Sequence, residues 1–317
     1  MLSSRDGRCY IHEVSRPRTI LLISGVFLVA AVAFSFPVVR ILALVLLQRS
    51  PYCPLENALA SQANQTHQIN AKDRILRESS IVQRDERGFH QWRTPKGDYW
   101  IPEGSDFVLP FNLAEQERKI YGSAPHFVRP GDIVLDCGAN VGVFTTEALK
   151  AGAKLVVAIE PAPENLECLR RNFVQQIESG QVIVYAKGVW DREDFLTLNV
   201  DGHNSAADSF VLHPTGAQTT TQKLPLTTID KLVSELNLER VDFIKMDIEG
   251  AEPKALAGGR ATLAKFHPRL SVSAYHEPDH PELIPKVVRS AWEGYQTECG
   301  PCAMEHATIR PDILWFH

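Results

Sequence analysis

Short apolar runs alternate with amphipathic segments from residue 133 to the end of the chain. The runs predict strands at 133–137, 155–160, 181–187, 195–200, 241–247, 269–275, 295–299 and 312–316. The segments between them predict helices near 142–151, 163–176, 228–237, 252–265 and 281–292. Such alternation is typical of a mainly parallel, doubly wound sheet with helices on both faces. The pattern therefore predicts an α/β domain over residues 131–317.

The N-terminal region shows a different pattern. Ile20 to Val39 contains no charged residue and is long enough to cross a bilayer core of about 30 Å as a helix rising about 1.5 Å per residue. After Arg40 the apolar character resumes, so a single transmembrane anchor is predicted over 19–48, after a flank over 1–18. A cleaved signal peptide is the alternative, but the run is longer than the usual apolar region and lacks a clear cleavage site.

Two segments connect this anchor to the α/β domain. Residues 49–84 are polar, with little apolar periodicity, and predict a linker. Residues 85–130 predict a hairpin that turns at 96–98, followed by a helix that Asn112 caps and that runs to about Tyr121. This piece is expected either to close over a ligand or to pack against the sheet.

Composition narrows the class of partner. The 317 residues carry a formal net charge of -5, with 44% hydrophobic and 22% charged residues. No run rich in lysine and arginine is interleaved with aromatics, so nucleic acid is not an expected partner. The cysteines predict incidental thiols rather than a disulfide framework, and Cys299-Gly-Pro-Cys302 predicts a turn between two late strands. One such pair is too few for a metal site, and none is predicted.

The densest signal is the stretch from Ile133 to Thr145, which predicts a buried strand, a glycine turn and the start of a helix. Asp136 ends this strand, and Glu160 ends the next one. In open α/β sheets, ligands bind outside the carboxyl ends of the strands. The turn holds Gly138 and Gly142, but Asn140 replaces the middle glycine of the dinucleotide-binding pattern.

The charge of this turn favours one kind of cofactor. A pyrophosphate would be repelled by Asp136, whereas S-adenosylmethionine has no phosphate and carries an ammonium and a sulfonium group. Its ribose diol can donate two hydrogen bonds to a carboxylate such as Glu160. The residues therefore favour S-adenosylmethionine over a dinucleotide.

A second cluster follows the strand at 241–247. Side chains two apart on a strand share a face, so Lys245, Asp247 and Glu249 are expected on one side of a buried strand. A buried charge costs several kcal/mol unless it is paired, which indicates function. The alternative is that both acids serve the N-terminus of the following helix, but this does not explain Lys245.

Four motifs in order resemble the FkbM family of methyltransferases. They are Leu-Asp-Cys-Gly-Ala-Asn-Val-Gly, Glu-Pro-x-Pro-Glu-Asn, Thr-Thr-Ile-Asp and Phe-Ile-Lys-Met-Asp-Ile-Glu-Gly-Ala-Glu. The resemblance runs from about residue 110 to the end. It implies a Rossmann-like class I methyltransferase sheet with an antiparallel edge strand. It also implies O-methylation of a hydroxyl on a glycan, a glycolipid or a polyketide-type secondary metabolite.

The resemblance also implies roles for individual residues. Asp136, Gly138, Asn140 and Gly142 would hold the methionine part of S-adenosylmethionine, Glu160 the ribose, and Asp247 would lie beside the transferred methyl group. Where many members end the next strand with Glu, this chain has Ser273, with Glu277 further on.

Transfer to an alcohol needs a base near the acceptor oxygen. His276, at a predicted strand tip, and Asp247 are the two candidates, with Lys245 and Glu249 as supporting residues. A membrane-tethered protein that binds S-adenosylmethionine without catalysis is the alternative function, and a thiol redox protein that uses Cys299 and Cys302 is a third.

The expected location is a membrane, with a single span. Arginines before the span outnumber those after it, which favours a cytoplasmic N-terminus and an external enzyme. Synthesis of S-adenosylmethionine in the cytosol favours the opposite side. The expected acceptor is a small molecule, a glycan or a lipid-linked group.

Overall fold

The computed structural model describes residues 36–201, 219–305 and 307–317. Its helices are α1 (Pro37–Leu46), α2 (Leu55–Glu78), α3 (Val108–Glu117), α4 (Val143–Lys150), α5 (Pro163–Asn172), α6 (Val174–Glu178), α7 (Ile229–Glu235), α8 (Glu252–Ala257), α9 (Arg260–Phe266) and α10 (His280–Ala291). Its strands are β1 (Ser80–Arg84), β2 (Phe89–Thr94), β3 (Gly97–Pro102), β4 (Ile133–Cys137), β5 (Leu155–Ile159), β6 (Val182–Tyr185), β7 (Gly188–Val189), β8 (Asp194–Asp201), β9 (Thr219–Thr227), β10 (Phe243–Met246), β11 (Arg269–Ser273), β12 (Thr297–Cys299), β13 (Cys302–Glu305), β14 (Thr308–Pro311) and β15 (Ile313–Phe316).

Within these residues, seven strands form the central sheet in the order β12-β15-β11-β10-β4-β5-β6. Strands β11, β10, β4, β5 and β6 run parallel, and β15 runs antiparallel to both of its neighbours. The predicted mainly parallel, doubly wound sheet is confirmed. The predicted position of the antiparallel strand is wrong, because β12 pairs along the outer side of β15 and forms the edge itself.

The central strands are apolar because helices cover both faces of the sheet. Leu135 and Ile244 belong to one core cluster, and Val134 and Phe243 belong to another. All four side chains are fully buried. Asp136 and Lys245 are buried polar residues inside β4 and β10, and Ser271 is another inside β11.

The segment predicted as a linker is mostly helix. Helix α2 is 24 residues long, and its buried positions are Ala58, Ser61, Gln68, Ala71 and Ile75. Their spacing places them on one face, but most of them are small or polar. The prediction was wrong because this buried face lacks the large apolar side chains that mark an amphipathic helix.

The hairpin over β2 and β3 is confirmed, although its turn lies between Thr94 and Gly97, slightly earlier than predicted. The following helix begins at Val108, so Asn112 lies inside α3 and does not cap it. Helices α2 and α3, the hairpin and the start of α4 share one apolar cluster. The N-terminal segment thus packs directly beside the glycine turn.

No helix in the described ranges is long and apolar enough to cross a membrane. Residues 19–35 of the predicted anchor lie outside those ranges. Its later part forms α1, in which Ile41 is 2% exposed and packs with Ala58, Cys302 and Ile309. The anchor over 19–48 therefore stays a prediction, and the structure adds that one side of α1 packs against protein.

A disulfide joins Cys53 to Cys302, 249 residues apart in the chain. The expectation that all the cysteines are incidental thiols is wrong for this pair. Gly300 and Pro301 connect β12 to β13, so they lie between two late strands, as predicted. Sequence spacing could not reveal the disulfide, because its partner precedes α2.

Candidate functional site

A cavity of about 270 Å³ lies at the carboxyl ends of β4 and β10. The residues that line it are Phe111, Asn112, Glu115, Gln116, Tyr121, Gly138, Ala139, Asn140, Val143, Phe144, Lys245, Asp247, Glu249 and Tyr275. We call it the site cavity. Helix α3 and Tyr121 form one wall, and the turns after the two strands form the other.

Lys245 and Asp136 hold the floor of the site together. They are register partners on neighbouring parallel strands, so their side chains lie on the same face. The Lys245 Nζ lies 3.4 Å from Oδ1 of Asp136 and donates a 2.8 Å hydrogen bond to the carbonyl oxygen of Gly138. Burial works to lower the pKa of Lys245, but the carboxylates of Asp136 and Asp247 outweigh it and raise the pKa. Lys245 therefore stays charged.

Asp136 lies below the site cavity and does not line it. Its side chain is fully buried, and it accepts a 2.7 Å hydrogen bond from Oγ1 of Thr145. Between Thr145 and Lys245, this carboxylate joins the start of α4 to β10. Its position fits a role in shaping the turn.

The two glycines of the turn are required by packing. A Cβ on Gly138, at φ +77°, would lie 1.8 Å from the carbonyl oxygen of Asp247. A Cβ on Gly142, at φ +93°, would lie 2.1 Å from the ring of Phe173. Gly138 lines the site cavity and Gly142 does not. The sequence pattern thus reflects close approach of protein segments as well as a ligand site.

Glu160 supports the turn from below. Its Oε2 accepts a 2.9 Å hydrogen bond from the backbone N–H of Asn140, and its Oε1 accepts one of 2.9 Å from Ala162. Burial raises the pKa of Glu160 to about 7, although these hydrogen bonds act to lower the pKa. Glu160 is 5% exposed and does not line the site cavity, whereas Asn140 does.

Asp247 follows the last residue of β10 and faces the cavity. Its Oδ2 accepts a 2.6 Å hydrogen bond from the hydroxyl of Tyr121. Burial works to raise the pKa of Asp247, but Lys245 and His276 hold it below its usual value. Asp247 is therefore an ionised acceptor at neutral pH.

The prediction that Glu249 lies on the same strand as Lys245 is wrong, because β10 ends at Met246. It lies in the turn before α8 in the left-handed conformation, at φ +52°. The turn nevertheless brings its side chain to the same cavity. Burial raises the pKa of Glu249, despite the nearby His276.

His276 lies behind these acids, and its side chain is 2% exposed. Its Nε2 lies 3.5 Å from Asp247 Oδ1 and 3.4 Å from Glu249 Oε1, while its Nδ1 lies 2.9 Å from Glu252 Oε1. Burial works to lower the pKa of His276, but Glu252 and Glu249 raise it well above its usual value. The imidazole is therefore protonated at neutral pH.

This protonation bears on metal binding and on catalysis. One ligand atom each from Asp247, Glu249 and His276 lies within 4.8 Å of the others, as in a metal site. A protonated imidazole has no lone pair for a substrate proton, and it would have to lose its own proton to bind a metal. With its proton in place, His276 forms an ion pair network with the buried Glu252 and with the partly buried Asp247 and Glu249.

Sequence reasoning missed Tyr121, Glu115 and Tyr275 as site residues. All three line the site cavity, and burial raises the pKa of each well above its usual range. Two of them, Glu115 and Tyr121, come from the segment before the sheet, which was expected to close over a ligand or to pack on the sheet, but no residue of it was assigned to the site. The sequence placed Glu115 in the predicted helix but gave no sign that its side chain faces the site cavity.

Comparison with known proteins places these elements in a family. The model of the methyltransferase FkbM domain matches residues 136–300. The 31-O-demethyl-FK506 methyltransferase FkbM of Streptomyces tacrolimicus is 28% identical over 160 residues, covering 41% of this chain and 60% of that protein. The 2-O-methyltransferase NoeI of Sinorhizobium fredii (strain NBRC 101917 / NGR234) is 28% identical over 150 residues, covering 43% and 61%. The chain thus spans less than two thirds of the length of either relative.

Among solved structures, the methyltransferase FkbM of Methylobacillus flagellatus KT matches with a TM-score of 0.45 at 18% identity. The match covers 80% of this chain and 60% of that chain. The family model covers more than half of the chain and includes both strand ends that form the site. The chain belongs to the FkbM methyltransferase family.

Proposed function

We propose that the protein is an S-adenosylmethionine-dependent methyltransferase that methylates a hydroxyl group. The observation that carries this proposal is the charge of the site cavity. Carboxyl groups of Glu115, Asp247 and Glu249 line it, and the one lysine in its wall, Lys245, is paired with Asp136. Burial raises the pKa of Glu115 and of Glu249, so Asp247 is the carboxylate of this wall that is held ionised. The wall therefore attracts a cation and offers a phosphate no unpaired lysine.

These residues fit S-adenosylmethionine because it is cationic at its sulfonium and ammonium groups and has no phosphate. Gly138 and Asn140 would hold its methionine part, and Asp247 would lie beside its sulfonium. Glu160 and Asp136 would not touch the cofactor. Glu160 would fix the turn through its bond from Asn140, and Asp136 through its bond from Thr145 of α4. When bound, this cofactor supplies an electrophilic methyl group.

Asp247 is the residue proposed to orient the acceptor hydroxyl and to take its proton. It is ionised, it lines the cavity, and its hydrogen bond from Tyr121 fixes the carboxylate. His276, the other candidate base, is protonated and does not line the cavity. We therefore assign it to positioning Asp247 and Glu249. Positioning of the reacting groups supplies much of the rate of such transfers.

The choice of a hydroxyl as acceptor rests on the names of the relatives. Both are O-methyltransferases. An ionised carboxylate at the site agrees with this, because an alcohol must lose a proton during transfer and a carboxylate can accept it.

Calorimetry with S-adenosylmethionine, with NADH as the comparison, tests the cofactor. We expect binding of the first and none of the second. Incubation with S-adenosylmethionine labelled in its methyl group and with an extract of glycans and lipids then tests catalysis. Binding without label transfer would favour the alternative of a non-catalytic binding protein, and tight binding of NADH would exclude the proposal.

A further inference from the structure

A second cavity, of about 460 Å³, adjoins the site cavity. The residues that line it are Gln65, Gln68, Ile69, Phe111, Glu115, Arg118, Ile120, Tyr275, Ala303, Met304, Glu305 and Asp312. Phe111, Glu115 and Tyr275 line both cavities. The two spaces are therefore separated by little more than shared side chains.

The second cavity is mainly apolar where α2 faces the hairpin of β13 and β14. Ile69 comes from α2, Phe111 from α3, and Ala303 and Met304 from β13. Apart from Tyr275, all its lining residues lie outside the residues 136–300 that match the family model. This space is thus built by parts of the chain that flank the matched domain.

Its charged groups offer no surplus positive charge. Arg118 is the one lysine or arginine among the lining residues, and it donates a 2.9 Å hydrogen bond to Oε1 of Gln68. Glu115, Glu305 and Asp312 also line the space. Glu305 is paired with Arg310, and Asp312, whose pKa burial raises to about 7, lies near Arg118. An anionic group placed there would compete with these acids for the two arginines.

The walls are held in a fixed arrangement. Gln68 is 6% exposed, and its Nε2 donates a 3.1 Å hydrogen bond to the carbonyl oxygen of Phe111. Its Oε1 accepts the bond from Arg118, so the nitrogen and the oxygen of this one amide both connect α2 to the segment that contains α3. The second cavity is therefore preformed, as binding cavities usually are.

Size indicates what the second cavity is for. Sites for small molecules usually measure about 300–1,000 Å³. The site cavity, at about 270 Å³, is slightly smaller than this range, so it has little room for an acceptor beside a cofactor. The adjoining space provides that room.

We propose that the second cavity binds the acceptor, and that the acceptor is an uncharged amphipathic molecule whose hydroxyl reaches Asp247 past Tyr275 while its apolar part lies between α2 and β13. This inference rests on the proposed function and narrows it. It excludes bare sugars and phosphorylated compounds as preferred acceptors.

Three probes test the inference in the full protein. Octyl glucoside and methyl glucoside share a head group and differ in the apolar chain, and octyl phosphate carries the chain with an anionic head. All are used below their micelle concentrations, with binding measured by calorimetry. We expect octyl glucoside to bind at least about tenfold more tightly than methyl glucoside, because burial of each CH₂ favours binding, and more tightly than octyl phosphate.

A matched pair of variants locates the site. Ile69 and Leu59 are both partly exposed on α2, at 49% and 37%, but only Ile69 lines the second cavity. Ile69→Asp should weaken binding of octyl glucoside about tenfold, and Leu59→Asp should leave it unchanged. Both variants should bind S-adenosylmethionine as the unmodified protein does.

The outcomes separate the two proposals. If the unmodified protein does not bind S-adenosylmethionine, the proposed function fails. If it binds S-adenosylmethionine but binds both glucosides equally, or prefers octyl phosphate, the acceptor inference is overturned. The same holds if Ile69→Asp binds octyl glucoside as tightly as Leu59→Asp does.

Discussion

Tyr121 donates a 2.6 Å hydrogen bond to the carboxylate of Asp247 and so joins the N-terminal segment to the strand end at the centre of the site. The bond spans 126 residues of sequence. It means that the segment before the sheet helps to fix the proposed base, in addition to covering the cavity.

Asp247→Asn should lower methyl transfer by about 10²- to 10⁴-fold, the usual contribution of a base, with little change in melting temperature. Tyr121→Phe removes only the hydrogen bond and should cause a smaller loss. Transfer of labelled methyl to the extract measures both. Full activity in the asparagine variant would remove Asp247 from the mechanism.

Gly138→Ala should destabilise the fold and abolish binding of S-adenosylmethionine, because the added Cβ would overlap the carbonyl oxygen of Asp247. Gly180 is the matched control, since it has a similar φ of +74° and no atom within 4 Å of an added Cβ. Gly180→Ala should cost only about 1 kcal/mol for its backbone conformation. Equal melting temperatures for the two variants would show that the close approach at Gly138 is not important.

His276→Gln should lower the free energy of unfolding by about 3–5 kcal/mol at pH 6, because it leaves buried acids without their counter-charge. The pKa of His276 is raised in the folded state. Its stabilising effect is thus fully present below the unfolded pKa and is lost as the pH rises through the folded pKa. The difference between unmodified protein and variant should therefore shrink at alkaline pH in chemical unfolding experiments.

His67→Gln, on the exposed side of α2, serves as the control for this change. It should leave unfolding unaltered at every pH. A His276 variant whose deficit grows toward alkaline pH would contradict the assignment of a protonated imidazole.

Reduction of the disulfide should lower the melting temperature of the protein, since a bond between Cys53 and Cys302 restricts a long loop of the unfolded chain. Such bonds contribute roughly 2–5 kcal/mol. Cys53→Ser should melt at the lower temperature with or without dithiothreitol. If dithiothreitol lowers the melting temperature of the variant as much as that of the unmodified protein, the effect does not come from this bond.

The sheet could be predicted from the sequence because its strands are buried on both faces and are therefore continuous apolar runs. The position of β15 could not, since strand order at an edge depends on pairing between distant segments. Helix α2 was missed for a local reason. Its buried face uses Ala58, Ser61 and Gln68, whose burial depends on hydrogen bonds and close packing with other elements.

The same division holds for the site. Gly138, Asn140, Lys245, Asp247 and Glu249 line the site cavity, and strand-end chemistry was enough to select them. Asp136, Gly142, Glu160 and His276 lie around it, because a motif records the residues that shape a turn along with those that meet a ligand. Tyr121 and Tyr275 carry no pattern of their own, and only the docking of their segments brings them to the cavity.

The disulfide constrains how the second cavity can open. Cys53 lies just before α2 and Cys302 begins β13, so the bond ties the two walls of this cavity at the end where both elements start. The bond therefore limits how far α2 and β13 can separate at that end.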